Sequence, residues 1–285
     1  MYEKILVPVD FTEKTQKALM VAKSIAKKTD AEIHLIHVVK AALAVYLDEL
    51  GVYKSKSQTG QKFLEEIISK NEQKMDKYIK LLNDEGIHVS YKLKIDSSPD
   101  RIAELVAEEG FDLTIVGNYE HQRFDEFLKR THPERIAKLA MNPVITVNKE
   151  DEAFTPEKIL VPTNLEDNCN QKMKDLLSFS EKFGAELQFV FINTPAFFQT
   201  SPQIRKKSRA WFEMHGLKGY EVKVFNTKQL QKGLLNAADY FESDMIALFS
   251  KHSETIKDLI KGNITEYLIT RSDIPVMTFN LNITQ

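Results

Sequence analysis

The pentapeptide Lys-Ile-Leu-Val-Pro occurs twice, at residues 4–8 and 158–162. Held without a gap, this offset of 154 pairs Pro8 with Pro162, Ala31 with Ala185 and Glu32 with Glu186. It also sets IHLIHV (33–38) against LQFVFI (187–192). Further along, an offset of 132 pairs Asp112 with Asp244, Pro143 with Pro275, Val144 with Val276 and Thr146 with Thr278. The second copy is therefore 22 residues shorter (154 less 132), the loss falling in its middle. A period this long is not a solenoid repeat, so each copy is expected to be a complete domain. The predicted boundaries are 1–148 and 158–285, joined by a polar, proline-bearing linker at 149–157.

Within each copy, short Val/Ile-rich runs alternate with amphipathic stretches. The runs are ILVPV (5–9), EIHLIHVV (32–39), HVSYKLKI (88–95), LTIVG (113–117) and PVITV (143–147). The second copy repeats them as ILVPT (159–163), ELQFVFI (186–192), YEVKVF (220–225), MIALF (245–249) and PVMTF (275–279). Such runs read as strands. Between them, Phe63, Leu64, Ile67, Ile68, Met75, Tyr78, Ile79 and Leu82 form a helical stripe over 61–85. A helix between two strands imposes a parallel crossover. Strands that are apolar at nearly every position call for helices on both faces. The predicted class is α/β, with two tandem doubly wound parallel sheets.

Composition narrows the function classes. Charged residues make up 28% of the 285 and the net charge is -2, so no basic excess recommends nucleic acid. One cysteine, Cys169, can form no internal disulfide, and a reducing cytoplasm is expected. The first residues read as neither a secretory signal nor a membrane span.

In an open parallel sheet, ligands bind beyond the carboxyl ends of the strands. The candidate loops are 8–14 and 117–135 in the first copy, and 162–168 and 250–267 in the second. On K-I-L-V-P-V-D-F-T at 4–12, H-V at 37–38, D-L-T-I-V-G at 112–117 and the terminal P-V-I-T-V at 143–147, the chain resembles the universal stress protein family in its tandem form. The resemblance implies five-stranded sheets of order 3-2-1-4-5, of the adenine-nucleotide α-hydrolase-like type. It also implies that the last strands of the two copies meet, which would hide exposed edges.

Nucleotide-binding members of that family carry an aspartate after strand one, an apolar residue late in strand two, and a loop G-x2-G-x9-G-[S/T] after strand four. Here Asp10, Val38, Gly117 and Thr131 match, while Glu120 and Arg130 replace the second and third glycines. Glu120 sets a carboxylate where phosphate needs bare backbone. Like charges about 4 Å apart repel by about 1 kcal/mol in water and about 4 near a protein surface. Arg130 could clamp phosphate or pair with Glu120. The second copy has Asn164 for the aspartate, and Phe249, His252, Gly262 and Asn263 along the loop, so only Gly262 matches.

Simpler roles are open for the same residues. Thr131 and Asn263 each begin a capping box ending at Glu134 and Glu266. Asp10 and Asn164 suit a turn after a strand. His34 and His37 face opposite sides of one strand, and His121, His132 and His252 show no ligand spacing, so no metal is expected. RKKSR (205–209), beside Trp211 and Phe212, reads as a helix with a charged face and an aromatic core face. PAFFQTSP (195–202) and LAVYLDELGVY (43–53) are apolar for loops and could roof a pocket. The leading expectation is a cytoplasmic stress-response regulatory binding protein rather than an enzyme. Its partners would be other proteins and the two domains would pair with each other, with a homodimer also open. Membrane and nucleic acid are not expected as partners. The rival readings are an ATP-binding, slowly hydrolysing switch in the first copy and a carrier of an apolar small molecule. ATP is the one cofactor the resemblance offers.

Overall fold

The computed structural model describes residues 2–40, 58–96, 104–106, 110–118, 133–148, 154–250 and 264–281. Ten strands carry the frame: β1 (Lys4–Pro8), β2 (Glu32–Lys40), β3 (Val89–Asp96), β4 (Leu113–Gly117) and β5 (Val144–Val147) in the first half; β6 (Lys158–Pro162), β7 (Glu186–Asn193), β8 (Lys223–Asn226), β9 (Met245–Ser250) and β10 (Val276–Asn280) in the second. The first half adds helices α1 (Glu13–Thr29), α2 (Gln58–Asn83) and α3 (Pro133–Leu139). The second adds α4 (Asn170–Phe183), α5 (Ser201–Met214), α6 (Leu230–Tyr240) and α7 (Ile264–Arg271).

The strand order is β3-β2-β1-β4-β5-β10-β9-β6-β7-β8. Each half therefore has the order 3-2-1-4-5, and every pairing inside a half is parallel. At the centre β5 and β10 run antiparallel, with Met277 opposite Ile145. Two five-stranded parallel sheets are thereby joined edge to edge into one ten-stranded sheet. The strands at the join are the last of each copy, PVITV and PVMTF, and every residue of β5 and β10 is buried.

The repeat is visible in the backbone. Asp30 ends α1 in the left-handed conformation and donates its N–H to the Ala26 carbonyl, while Gly184, its partner at the 154 offset, ends α4 the same way. Phe11 and Leu165, also 154 apart, take positive φ of 63° and 62°. Asp112 and Asp244 serve one purpose in both halves. Asp112 Oδ2 accepts the N–H groups of Glu3 and Lys4, each at 2.9 Å, and Asp244 Oδ2 those of Glu157 and Lys158, each at 2.8 Å. Each carboxylate fastens the start of its first strand.

One face of the sheet carries a core shared by both halves, in which Ile5, Ile25 and Met75 belong with Phe179, Phe189 and Met277. The other face has separate clusters, one around Leu6, Val116 and Ile136 and one around Leu160, Leu234 and Ile246. Each fully buried Leu or Ile contributes about 1.5–3 kcal/mol. The seam adds polar ties. Asn118 and Asn148 both donate side-chain N–H to the Ile269 carbonyl, at 2.8 and 2.9 Å, and Asn148 also donates to Ser272.

One strand differs from expectation. β8 begins at Lys223, three residues later than the Tyr220 predicted to open it. Tyr220 instead sets its ring edge-on to Phe189, 5.2 Å away, so its apolar character serves the core rather than the ladder. The basic cluster 205–209 lies on α5 as expected. Lys207 pairs with Glu166 and Arg209 with Glu213, while Trp211 and Phe212 are buried. Among the described residues no helix is long and apolar enough to cross a membrane.

Candidate functional site

Both halves end their strands at a mouth on the carboxyl side, and the two mouths differ. At the first, Asp10 lies two residues past Pro8, which pairs with Ile36, so Asp10 and Val38 reach the same level of neighbouring strands. Gly117 closes β4 on the other side of β1. Three of the residues picked out in the sequence, Asp10, Val38 and Gly117, thus converge. Arg130, Thr131 and Glu120 lie outside the described residues, as do Gly262, Asn263, His252 and the loop 43–53.

The Asp10 carboxylate already has work. Its Oδ1 accepts the Thr12 N–H at 3.0 Å, the Thr12 hydroxyl at 2.7 Å and the Thr15 hydroxyl at 2.5 Å. Thr15 Oγ1 in return accepts the Asp10 N–H at 3.0 Å. This closed turn launches α1. Gly117 is also committed, because the first turn of α1 sits on it: an added Cβ would lie 2.3 Å from the Lys14 carbonyl oxygen. Beside them, His37 Nδ1 lies 2.6 Å from the Val9 carbonyl. A carbonyl only accepts, so Nδ1 carries the hydrogen. Burial pushes the His37 pKa down, against the opposing effects of the Val9 hydrogen bond and Asp10, with nearby Lys74 adding to the fall. The Phe11 ring lies 4.4 Å from His37, with Lys74 over its face at 5.1 Å. Phe11, Tyr78, Lys23 and Lys74 help line an open groove of about 590 Å³ between α1 and α2.

The second mouth is built differently. Asn164 Oδ1 accepts the N–H groups of Glu166 and Asp167 at 3.0 and 3.1 Å, and its amide donates to Asp167 Oδ2 at 2.6 Å. The chain turns here as at Asp10, but the helix starts later. Glu13, which opens α1, matches Asp167 at the 154 offset, whereas α4 opens at Asn170. Three residues are close to one helical turn. The missing turn is the one that carries Lys14 onto Gly117 in the first half, and Phe249 stands at the position matching Gly117 at the 132 offset. Phe249 stacks on Phe279 with ring centres 5.0 Å apart.

A cavity of about 290 Å³ opens where that turn would lie. Its lining includes Asn164, Phe191, Gln199, Trp211 and Phe249, together with Phe197 from the apolar loop noted in the sequence. Gln199 Oε1 is buried without a hydrogen-bond partner. No Lys or Arg is among the described lining residues. Of the second-copy positions picked out in the sequence, Asn164 and Phe249 lie here. Cys169, Phe191 and Trp211 were missed as lining because each reads as an ordinary core residue. Their one signal was the replacement of glycine by Phe249, which marked this mouth as changed. Among the described residues no three His, Cys, Asp or Glu side chains cluster as metal ligands.

The model of the universal stress protein family matches residues 1–148, just over half of the 285. The chain belongs to the universal stress protein family. Universal stress protein MJ0577 of Methanocaldococcus jannaschii is 25% identical over 158 residues, covering 53% of this chain and 98% of that protein. Among solved structures, a universal stress protein from Archaeoglobus fulgidus aligns over 97% of this chain and 98% of its own length, at 18% identity and a TM-score of 0.66. A universal stress protein structure from Pseudomonas aeruginosa aligns over 98% of this chain and 93% of its own, at 15% identity and a TM-score of 0.63. These structures share the fold across both halves.

Proposed function

We propose that this universal stress protein is a cytoplasmic binding and regulatory protein rather than an enzyme. Its domains, 1–148 and 158–285 across the linker 149–157, read small molecules at their strand-end mouths and report to protein partners. The observation that carries this reading is the second cavity. At about 290 Å³ it is near the lower end of small-molecule sites, which run to about 300–1,000 Å³. Aromatic walls, with no Lys or Arg among the described lining residues, suit a compact, largely apolar ligand without phosphate.

The test uses Trp211, the only tryptophan, which lines the cavity. An organic extract of the purified protein is read by mass spectrometry, and apolar ring compounds are titrated against Trp211 emission and thermal stability. Saturable change in both supports the reading, since a ligand of the native state stabilises by RT ln(1 + [L]/Kd). An empty extract with no response across the panel sinks it.

The convergence of Asp10, Val38 and Gly117 favours a second reading, an adenine nucleotide at the first mouth with Arg130 and Thr131 on its phosphates. Asp10 and Gly117 each have a structural task, so their presence argues for it less than the sequence pattern did. Release of adenine nucleotide on denaturation, or a thermal shift with ATP and magnesium, supports it. Absence of both removes it.

A further inference from the structure

Cys169 is the one cysteine of the chain, and it lines the cavity of the second mouth. At the 154 offset it matches Thr15, whose hydroxyl is taken up by the Asp10 turn. In the second half the thiol faces a histidine instead. Cys169 Sγ lies 3.2 Å from His215 Nε2. The other ring nitrogen, Nδ1, lies 2.8 Å from the Trp211 carbonyl oxygen. That oxygen can only accept, so Nδ1 carries the hydrogen and neutral His215 turns a lone pair on Nε2 toward Cys169. The Cys169 backbone N–H also donates to Nε2, at 3.1 Å, so thiol and backbone share the one lone pair and the backbone bond must open when Nε2 takes the proton. The Trp211 ring, 4.2 Å from the imidazole, holds the ring in place. Cys169 further stands at the N-cap of α4, where the helix presents its positive end.

A thiol, a base with its tautomer fixed by a carbonyl, a favourable helix end and an apolar cavity meet at one point. The base and the helix end favour thiolate over thiol, and they act against the burial of Cys169, which favours the thiol. We propose that Cys169 is a reactive thiol, activated by His215, that captures apolar α,β-unsaturated carbonyl compounds entering the second mouth. The proton on Sγ passes to His215 Nε2. The sulfur forms a bond to the β-carbon while the carbon–carbon double bond shifts its electrons toward the carbonyl oxygen. The proton then moves from Nε2 to the α-carbon. A thioether results, His215 is neutral again, nothing leaves, and no oxidant or reductant is consumed. Phe191, Phe249 and Trp211 select an apolar body, and the carboxylates of Glu166 and Asp167 in the lining disfavour anions. The selection of an apolar body rests on the small-molecule reading of the cavity given above; the activation of the thiol does not.

The test is labelling of the native full-length chain with but-3-en-2-one and with its phenyl-bearing analogue 4-phenylbut-3-en-2-one. Adducts are counted by intact mass, and rates are expressed relative to free cysteine with the same compound. A free thiol is only a few per cent ionised near neutral pH, and a thiol pKa near 7 raises that fraction about tenfold. The expected result is a single adduct on Cys169 and an excess over free cysteine that is larger for the phenyl compound. The rate should reach half its plateau well below about 8.5, the midpoint of an ordinary thiol. His215→Gln should move that midpoint back up, with circular dichroism confirming the fold. Labelling by neither compound until denaturant is added, or a wild-type midpoint at or above the ordinary value, overturns the proposal. An excess for butenone alone upholds the activated thiol and removes the cavity's choice of an apolar ligand.

Discussion

Gly117 and Lys14 touch backbone to backbone: a Cβ on Gly117 would lie 2.3 Å from the Lys14 carbonyl oxygen and 2.7 Å from its carbonyl carbon. Neither atom is the end of a flexible side chain, so relief requires moving α1 or β4. Gly117→Ala is therefore expected to destabilise the protein by about 1–3 kcal/mol, the usual cost of overpacking. Equilibrium urea unfolding checks it, and a change near zero would show the contact to be soft. In the second half α4 starts one turn later, and Phe249 stands at the matching position.

Asp10 separates a turn from a ligand group. Asp10→Asn keeps an oxygen for the Thr12 N–H and the Thr15 hydroxyl, much as Asn164 serves its own turn. It is expected to cost less than about 1 kcal/mol. Asp10→Ala strands the buried Thr15 hydroxyl and should cost about 1–3 kcal/mol. Measured stabilities in the order wild type, Asn, Ala identify the turn as the residue's task. Equal losses for both variants would point to the charge instead.

How much of this was legible beforehand depends on whether a feature is local. The 154 offset placed Pro162, Ala185 and Glu186, and the 132 offset matched Asp112 to Asp244, because a strand or turn writes its needs into neighbouring residues. The family resemblance supplied the strand order and the β5–β10 meeting. The contact of Gly117 with Lys14 was hidden, since a glycine that admits phosphate and one that admits a helix look alike. Cys169 and His215 are 46 positions apart and meet where the start of α4 comes against the end of α5. The late start of α4 was hidden too. Phe249, which stands at the position matching Gly117 and lines the cavity beside that start, is some 80 residues away in sequence.

His37 gives the fold a pH dependence of definite sign. Burial holds its folded pKa below the ordinary value of about 6.5. Above that value both folded and unfolded chains hold it neutral, and stability is full. As pH falls through about 6.5 the unfolded chain takes up a proton that the folded one resists, so stability declines until the folded pKa is passed. The charged groups facing this ring are Asp10 and Lys74, which act in opposite directions. Urea midpoints measured from neutral pH downward should fall, and His37→Gln should flatten that part of the curve. An unchanged slope in the variant would assign the decline to other groups.

Asn118 and Asn148 should prove coupled, because they share one acceptor across the seam. Both donate to the Ile269 carbonyl, so either alone leaves it satisfied. Asn118→Ala therefore costs little beyond its own hydrogen bond, about 0.5–1.5 kcal/mol. Asn148→Ala costs more, since the Ser272 carbonyl loses a donor as well. The double variant strands Ile269, and its loss should exceed the sum of the single losses by about 0.5–3 kcal/mol. Far-ultraviolet dichroism and Trp211 emission should still report one coincident transition in every variant, because the core on one face runs through both halves. Strict additivity would mean that water replaces the missing donors. Two separated transitions would mean that the asparagines, rather than the shared core, bind the halves into one folding unit.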